Sequence, residues 1–354
     1  MASRFQYLYY TRFDPLENDL KTRSLTYRQV LILSAIVFVL SFLAAWTFGG
    51  AALYPWQLLE QGDNEMAKHI LLSIRLPRIA CACIVGAALS VAGMLTQGLF
   101  RNPLASPSVI GISSGGSLGA IIAFYLGLHH AGLWTLPMFA FVGCVATTII
   151  ILALARSANF AAVEDLLLVG FAMNSILSAI STFILSLSLK DFDKGPAMMN
   201  WMLGNLAGKT WDHVNIGVVP IVLALFAGLH LSYQLNVLSL GNDVAQTIGI
   251  RLKRLRLQSI MVVSVLVATA VSIGGILPFL GLIVPHFSRL MVGSDHKKLF
   301  FVSAINGMTL LLLADLAARV MISPAEIQVG VLISLFGSPF FLWMFYKRRR
   351  SYAQ

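Results

Sequence analysis

Arg101-Asn102-Pro103-Leu104-Ala105-Ser106-Pro107 stands between two long apolar runs, Ile79–Phe100 and Val109–Leu128. Proline lacks a backbone donor and drives the preceding residue out of the helical region, so the Asn-Pro and Ser-Pro steps break helix structure. Each flanking run has the length needed to cross about 30 Å of hydrocarbon at 1.5 Å per residue. The single Arg101 marks the side on which the break emerges. The row reads as a tight connection between two membrane-spanning helices. That reading fixes the class: an all-α integral membrane protein.

Composition agrees. Of 354 residues 58% are hydrophobic and 11% charged, and the mean hydropathy is +0.81. Soluble domains carry roughly a quarter charged residues, so this chain lacks the charge to cover a globular surface and needs lipid as solvent. The three cysteines, Cys81, Cys83 and Cys144, lie in apolar runs without the spacing of a disulfide framework or a zinc site. Met1 to Arg28 is polar, aromatic and mixed in charge, which does not read as a cleavable leader.

Working outward from Arg101, apolar stretches of spanning length recur about ten times. They are Val30–Phe48, Ile79–Phe100, Val109–Leu128, Leu133–Leu154, Leu166–Leu189, Val214–Leu231, Leu257–Ile273, Phe279–Val292, Leu299–Ala318 and Ile327–Phe345. The eighth is short and broken by proline. With both termini in the cytoplasm, 18 of the 25 basic residues fall inside. Only Lys68, Arg75, Arg78, Lys190, Lys194, Lys209 and Arg319 fall outside. The net charge of +10 is therefore an orientation signal rather than a nucleic-acid footprint. The expected organisation is one membrane domain, 29–346, between a cytoplasmic N-terminal extension, 1–28, and a basic cytoplasmic tail, 347–354.

Within the spans, Gly111, Gly115 and Gly119 form a smooth ridge suited to close helix packing. Gly170, Asn174, Ser178, Thr182 and Ser186 share one stripe. An Asn in lipid is costly, so this face should meet protein or water, as an interhelical contact, a wall of a substrate path, or both. Asp315 and Arg319 stand at i, i+4 and can pair. No series of carboxylates or histidines crosses the membrane as an ion-coupled pump would need. Leu203-Gly204-Asn205-Leu206-Ala207-Gly208-Lys209-Thr210 nearly matches a phosphate-binding loop, but Leu203 replaces the first glycine and no strand precedes it. It reads instead as a short interfacial helix anchored by Trp201 and Trp211. The seven histidines are scattered, no nucleophile–base pair has local support, and neither an enzyme nor a resident cofactor is expected.

Several separated motifs together resemble the FecCD/BtuC-like family, the permease subunits of ATP-binding-cassette importers for iron chelates, haem and cobalamin. They are Arg75-Leu76-Pro77-Arg78 with Val85-Gly86-Ala87-Ala88-Leu89, Asn102-Pro103-Leu104-Ala105, and Leu166-Leu167-Leu168 with Gly170 and Asn174. Leu240-Gly241 through Ala245 with Ile248-Gly249, Phe279-Leu280-Gly281-Leu282 with Pro285-His286 and Arg289, Ala314-Asp315 with Ala318-Arg319, and Gly337-Ser338-Pro339 with Phe341 complete the set.

The resemblance implies a permease in the bacterial cytoplasmic membrane that pairs with a second permease chain. Two ATPase subunits, which hold the ATP and Mg, bind below, and a periplasmic or lipoprotein binding protein delivers a metal chelate. By matching positions, Arg75, Arg78 and Arg319 would receive acidic residues of the binding protein. Leu240, Gly241, Asn242, Asp243, Ala245, Ile248 and Gly249 would dock the ATPase, with Asn242 or Asp243 capping a short helix that Gly249 ends. Asn102 and Leu104 would narrow the inner exit, and Glu164, Gly170, Asn174 and Ser178 would line the path. The chain departs from the family at Gly275-Ile276-Leu277-Pro278-Phe279, at Glu164-Asp165, where two carboxylates suit a helix N-terminus, and in its extension Met1–Lys21. A ferric siderophore is the implied cargo; haem, cobalamin and molybdate are alternatives within the family. An ion-coupled carrier is the competing class and a membrane enzyme the third.

Overall fold

The computed structural model describes residues 25–49, 65–157, 163–191 and 193–351. Most of the N-terminal extension, Glu164 and Asp165 as side chains, and the last three residues of the tail lie outside the described residues. Among the described residues seven helices are long and apolar enough to cross a membrane and three shorter ones are apolar. Together they occupy the ten expected positions: α1 (Tyr27–Thr47), α2 (Leu76–Phe100), α3 (Ile112–Tyr125), α4 (Thr135–Ser157), α5 (Val163–Ser188), α7 (Trp211–Ser239), α9 (Leu252–Gly274), α10 (Leu280–Val292), α11 (His296–Val320) and α12 (Val329–Ser351). Two short helices, α6 (Lys194–Met202) and α8 (Asn242–Thr247), lie between them. No strand occurs among the described residues. A helical turn, Glu65–Lys68, and a wide-turned stretch, His69–Arg75, lead straight into α2.

Helix limits overshoot the apolar runs where charge begins. α7 continues past Leu231 to Ser239 and α9 starts at Leu252, ahead of Arg254 and Arg256. Hydropathy marks where lipid ends, whereas backbone hydrogen bonding carries on into water. α12 likewise runs beyond the expected 346 boundary through the four basic residues to Ser351. Lys and Arg are good helix formers and their charge suits a helix C-terminus.

α2 is the core. Of its apolar window 83% is buried, against 22% for α1 and 17% for α5. It packs on α7, α9, α10 and α11. Gly86 abuts the backbone of Gly307 on α11, and Gly93 abuts that of Gly281 on α10; no side chain fits at either contact. The predicted glycine ridge of α3 divides: Gly115 and Gly119 seat on Gly143 and Phe139 of α4, whereas Gly111 meets Gly170 of α5. Such close backbone approach supplies the packing that associates helices in lipid.

α3 and α10 have 14 and 13 residues, roughly 20 Å each at 1.5 Å per residue, too little for the hydrocarbon alone. Irregular segments complete them, 101–111 before α3 and 275–279 before α10. Lipid does not tolerate bare backbone, so at membrane depth such segments need protein cover, while Arg101 and Asn102 at the inner end are exposed. Gly275 and Leu277 are buried, as are Ala105, Pro107 and Gly111.

The segment Leu203–Thr210 corrects the interfacial-helix expectation. Gly204 and Gly208 have φ of 72° and 69°, which a right-handed helix excludes, and the helix lies upstream in α6. Asn205 N–H donates to Gly274 O (3.0 Å) and Gly330 N–H to Gly204 O (3.2 Å). A side chain at Gly204 or Gly330 would strike the Ile276 carbonyl. The phosphate-loop look-alike is thus a junction of three backbones. Trp201 sits on α6; Trp211 opens α7 and its Nε1 donates to Leu72 O (3.1 Å).

Candidate functional site

The two ends of the bundle are called outer and inner after the charge bias. At the outer end Pro77 occupies the first turn of α2, where a missing N–H costs nothing. Arg75 and Arg78 then fall on one face, three residues apart. Arg78 Nε lies 2.9 and 3.2 Å from the carboxylate oxygens of Asp315, and Nη2 lies 2.9 Å from Oδ1. Its Nη1 donates to both oxygens of Glu326, at 3.1 and 2.9 Å. Arg319 Nε approaches Asp315 Oδ2 at 3.2 Å, as their spacing on α11 allows. Asp315 is fully buried. A buried carboxylate needs counter-charge and hydrogen bonds to persist as an ion, and two guanidinium groups provide both.

The same arginines close the end of α1. Arg75 Nη1 donates to the carbonyls of Trp46 and Thr47, both at 2.9 Å. Arg319 Nη2 donates to Ala45 O at 3.1 Å. The last carbonyls of a helix have no partner within it and carry partial negative charge, so cationic donors suit them.

At the inner end α8 projects between α7 and α9. Leu240 and Ile248 on either side of it are 67% and 56% exposed, while Ala245 is fully buried. Gly241 and Gly249 take φ of 124° and 93°. Gly249 N–H bonds Gln246 O and Ile250 N–H bonds Ala245 O, both at 2.9 Å, the pairing of a glycine-terminated helix end. The expected cap by Asn242 or Asp243 is absent. Gly241 occupies the N-cap position and makes no side-chain cap, and both polar residues lie inside the first turn, where Asp243 suits the dipole. Beside α8 a cleft of about 440 Å³ is lined by Gln246, Ile250, Arg251, Leu252, Lys253 and Arg254.

Two polar links lie behind this surface, one between α7 and α11 and one between α2 and α10. Asn236 Nδ2 donates to Asp295 Oδ1 (2.9 Å), and Asn236 Oδ1 accepts from His296 N–H (2.7 Å). Arg289 Nη2 donates to Gln97 Oε1 (3.2 Å), and Gln97 Nε2 to Leu282 O (3.1 Å). Asp295 caps α11 through Lys297 N–H (3.0 Å). Burial opposes its charge, but the bonds from Asn236 and Lys297 and the charge of Lys298 outweigh it and hold the carboxyl below the usual range. A depressed carboxyl stabilises the fold at neutral pH and loses that contribution as pH falls through its folded value. Asp295→Ala is therefore expected to cost about 1 kcal/mol at pH 7. Thermal unfolding should show the gap from wild type closing below the ordinary carboxylate range.

A family model described as the FecCD transport family matches residues 33–347. The chain belongs to the FecCD transport family. The hemin transport system permease protein HmuU of Yersinia pestis is 36% identical over 317 residues, 89% of this chain and 94% of its own. The iron(3+)-hydroxamate import system permease protein FhuB of Bacillus subtilis is 35% identical over 341 residues, 94% of this chain and 87% of its own. A solved metal-chelate type ABC transporter in an inward-facing conformation superposes with a TM-score of 0.82 at 30% identity, covering 90% of this chain and 99% of that one. This FecCD member is an ATP-binding-cassette importer permease, a multi-pass membrane protein.

The fold distributes the singled-out residues of this FecCD permease unevenly. Arg75, Arg78 and Arg319 converge at 5%, 6% and 5% exposure, drawn in by Asp315 and the α1 carbonyls. Asn102 Oδ1 accepts from Leu104 N–H (3.0 Å), so it closes a turn at an exposed position. Gly170 admits Gly111 closely, and Asn174 accepts from Ser114 Oγ; this half of the stripe is an interhelical contact. Ser178, by contrast, is exposed on a face the chain leaves uncovered. Glu164 lies in the first turn of α5 by its backbone, its side chain being outside the described residues. Sequence reasoning missed Glu326 and Asn236. A lone carboxylate after Ser323-Pro324 and a polar residue past the apolar limit of α7 were the available signals.

Proposed function

We propose that the chain imports a ferric siderophore across the bacterial cytoplasmic membrane. Two permease chains would work with two ATPase subunits and an extracytoplasmic binding protein, both permease termini lying in the cytoplasm. The observation that carries the ATP-driven reading is α8. Two exposed apolar residues flank a helix set off by glycines of positive φ, beyond the spans, and such a knob needs a protein groove rather than lipid or water. In contrast, the fully buried Asp315 is held by two arginines, which leaves it unsuited to carry an ion across. The hydroxamate relative supports the siderophore; the hemin relative keeps haem as the second reading.

Vesicles containing this chain test the proposal. With cognate ATPase and binding protein they should accumulate ⁵⁵Fe-siderophore only when ATP is supplied. Uptake driven by an ion gradient without the ATPase would overturn it. Competition by haem, cobalamin or molybdate in place of ferric hydroxamate would reassign the cargo, and terminal tags reached from opposite faces would refute the topology.

A further inference from the structure

We propose that Glu326 occupies on Arg78 the place that a carboxylate of the extracytoplasmic binding protein takes during docking, so that docking is an exchange of carboxylates. The inference rests on the importer reading above. Arg78 serves two carboxylates of unequal standing. Asp315 is wholly buried and is held by Arg319 as well. Glu326 makes its described ion pair with Arg78 alone, and its side chain is 40% exposed. The second is the one an incoming group can displace. With Glu326 withdrawn, two guanidinium groups face the single charge of Asp315, and the Nη1 of Arg78 left open can donate to an incoming carboxylate as it does to both oxygens of Glu326.

Glu326 also belongs to a strap. Residues 321–326, between α11 and α12, are all exposed. The strap is held by Glu326 on Arg78, by Ile327 N–H on Ala318 O (3.1 Å) and by Gln328 Nε2 on Asn200 Oδ1 (2.7 Å). Three residues after Glu326, the buried Val329 opens α12. Exchange at Arg78 therefore unties the strap from α2 and alters the restraint on α12, giving docking a physical route into the spans.

The test titrates the labelled cognate binding protein onto the complete permease–ATPase complex in nanodiscs. Glu326→Gln removes the internal competitor and should tighten capture about three- to tenfold, mainly through slower release; Glu326→Asp should stay near wild type. Unchanged or weaker capture by Glu326→Gln overturns the exchange. In an otherwise unaltered chain, a spin label at Ala325→Cys should gain mobility on docking, and constant mobility overturns it independently of how the glutamine variant folds. A binding protein that engages neither wild type nor variant refutes the importer reading itself, a different result from capture that ignores residue 326.

Discussion

Asp315→Ala is expected to cost the fold about 3–5 kcal/mol, the loss typical of removing one partner from a buried ion pair. Asp315 neutralises Arg78 and Arg319 together. Its removal strands Arg319 against backbone carbonyls, in an interior where its charge is no longer balanced. Arg319→Met should cost less, because Arg78 still serves Asp315 when the Arg319 pairing with that carboxylate and the tether to Ala45 are lost. The double variant Asp315→Ala/Arg319→Met should be less unstable than the sum of the singles, since the two changes share one interaction. Thermal unfolding of detergent-purified protein, followed by size-exclusion fluorescence, measures all three. A wild-type melting temperature for Asp315→Ala would show that the outer cluster carries no fold stability.

Gly249→Val should abolish coupling without abolishing the ATPase partner's own turnover. At φ 93° a β-branched residue is strained by about 1–3 kcal/mol, and at 1.4 kcal/mol per decade that shifts the α8 geometry by about five- to 140-fold. A Cβ at Gly249 has nothing within 4 Å, so the effect acts through backbone conformation rather than through a clash. Uptake should fall by at least about fivefold while ATP hydrolysis persists. Gly127→Val is the control: its φ is 73°, it too has open space, and it lies in the outer turn after α3. Equal loss of uptake from both variants would remove α8 from the mechanism.

The spans were legible because lipid sets their length, a one-dimensional property that a sequence displays directly. The Asp315–Arg319 pair was legible for the same reason, lying one turn apart on one helix. Arg78 with Asp315 was not, since 237 residues separate them and one sequence does not say which spans touch. Topology assigns these arginines a side of the membrane, but the buried carboxylate that holds Arg78 arrives from another helix. Glycine misled in a related way. Gly204 fits a phosphate loop, a turn or a close approach equally well, and only the nearness of Ile276 and Gly330 decides among them. At α8 Gly249 marks the helix end in the sequence, but the start falls at Gly241 and takes no side-chain cap from Asn242 or Asp243.

The arginine clamp on α1 has a consequence for how freely that helix can change. Along most of its length it meets the rest of the chain through a seam of Val30, Ser34, Ser41 and Ala45 flanked by half-buried Phe38, Phe42 and Trp46, and its far tip is gripped through main-chain oxygens, which every amino acid possesses. A grip of that kind is blind to identity. The outward Leu, Ile and Val of α1 are therefore interchangeable, and a foreign oily segment of matching length, carrying only the seam and its aromatic flank, should slot into the same berth.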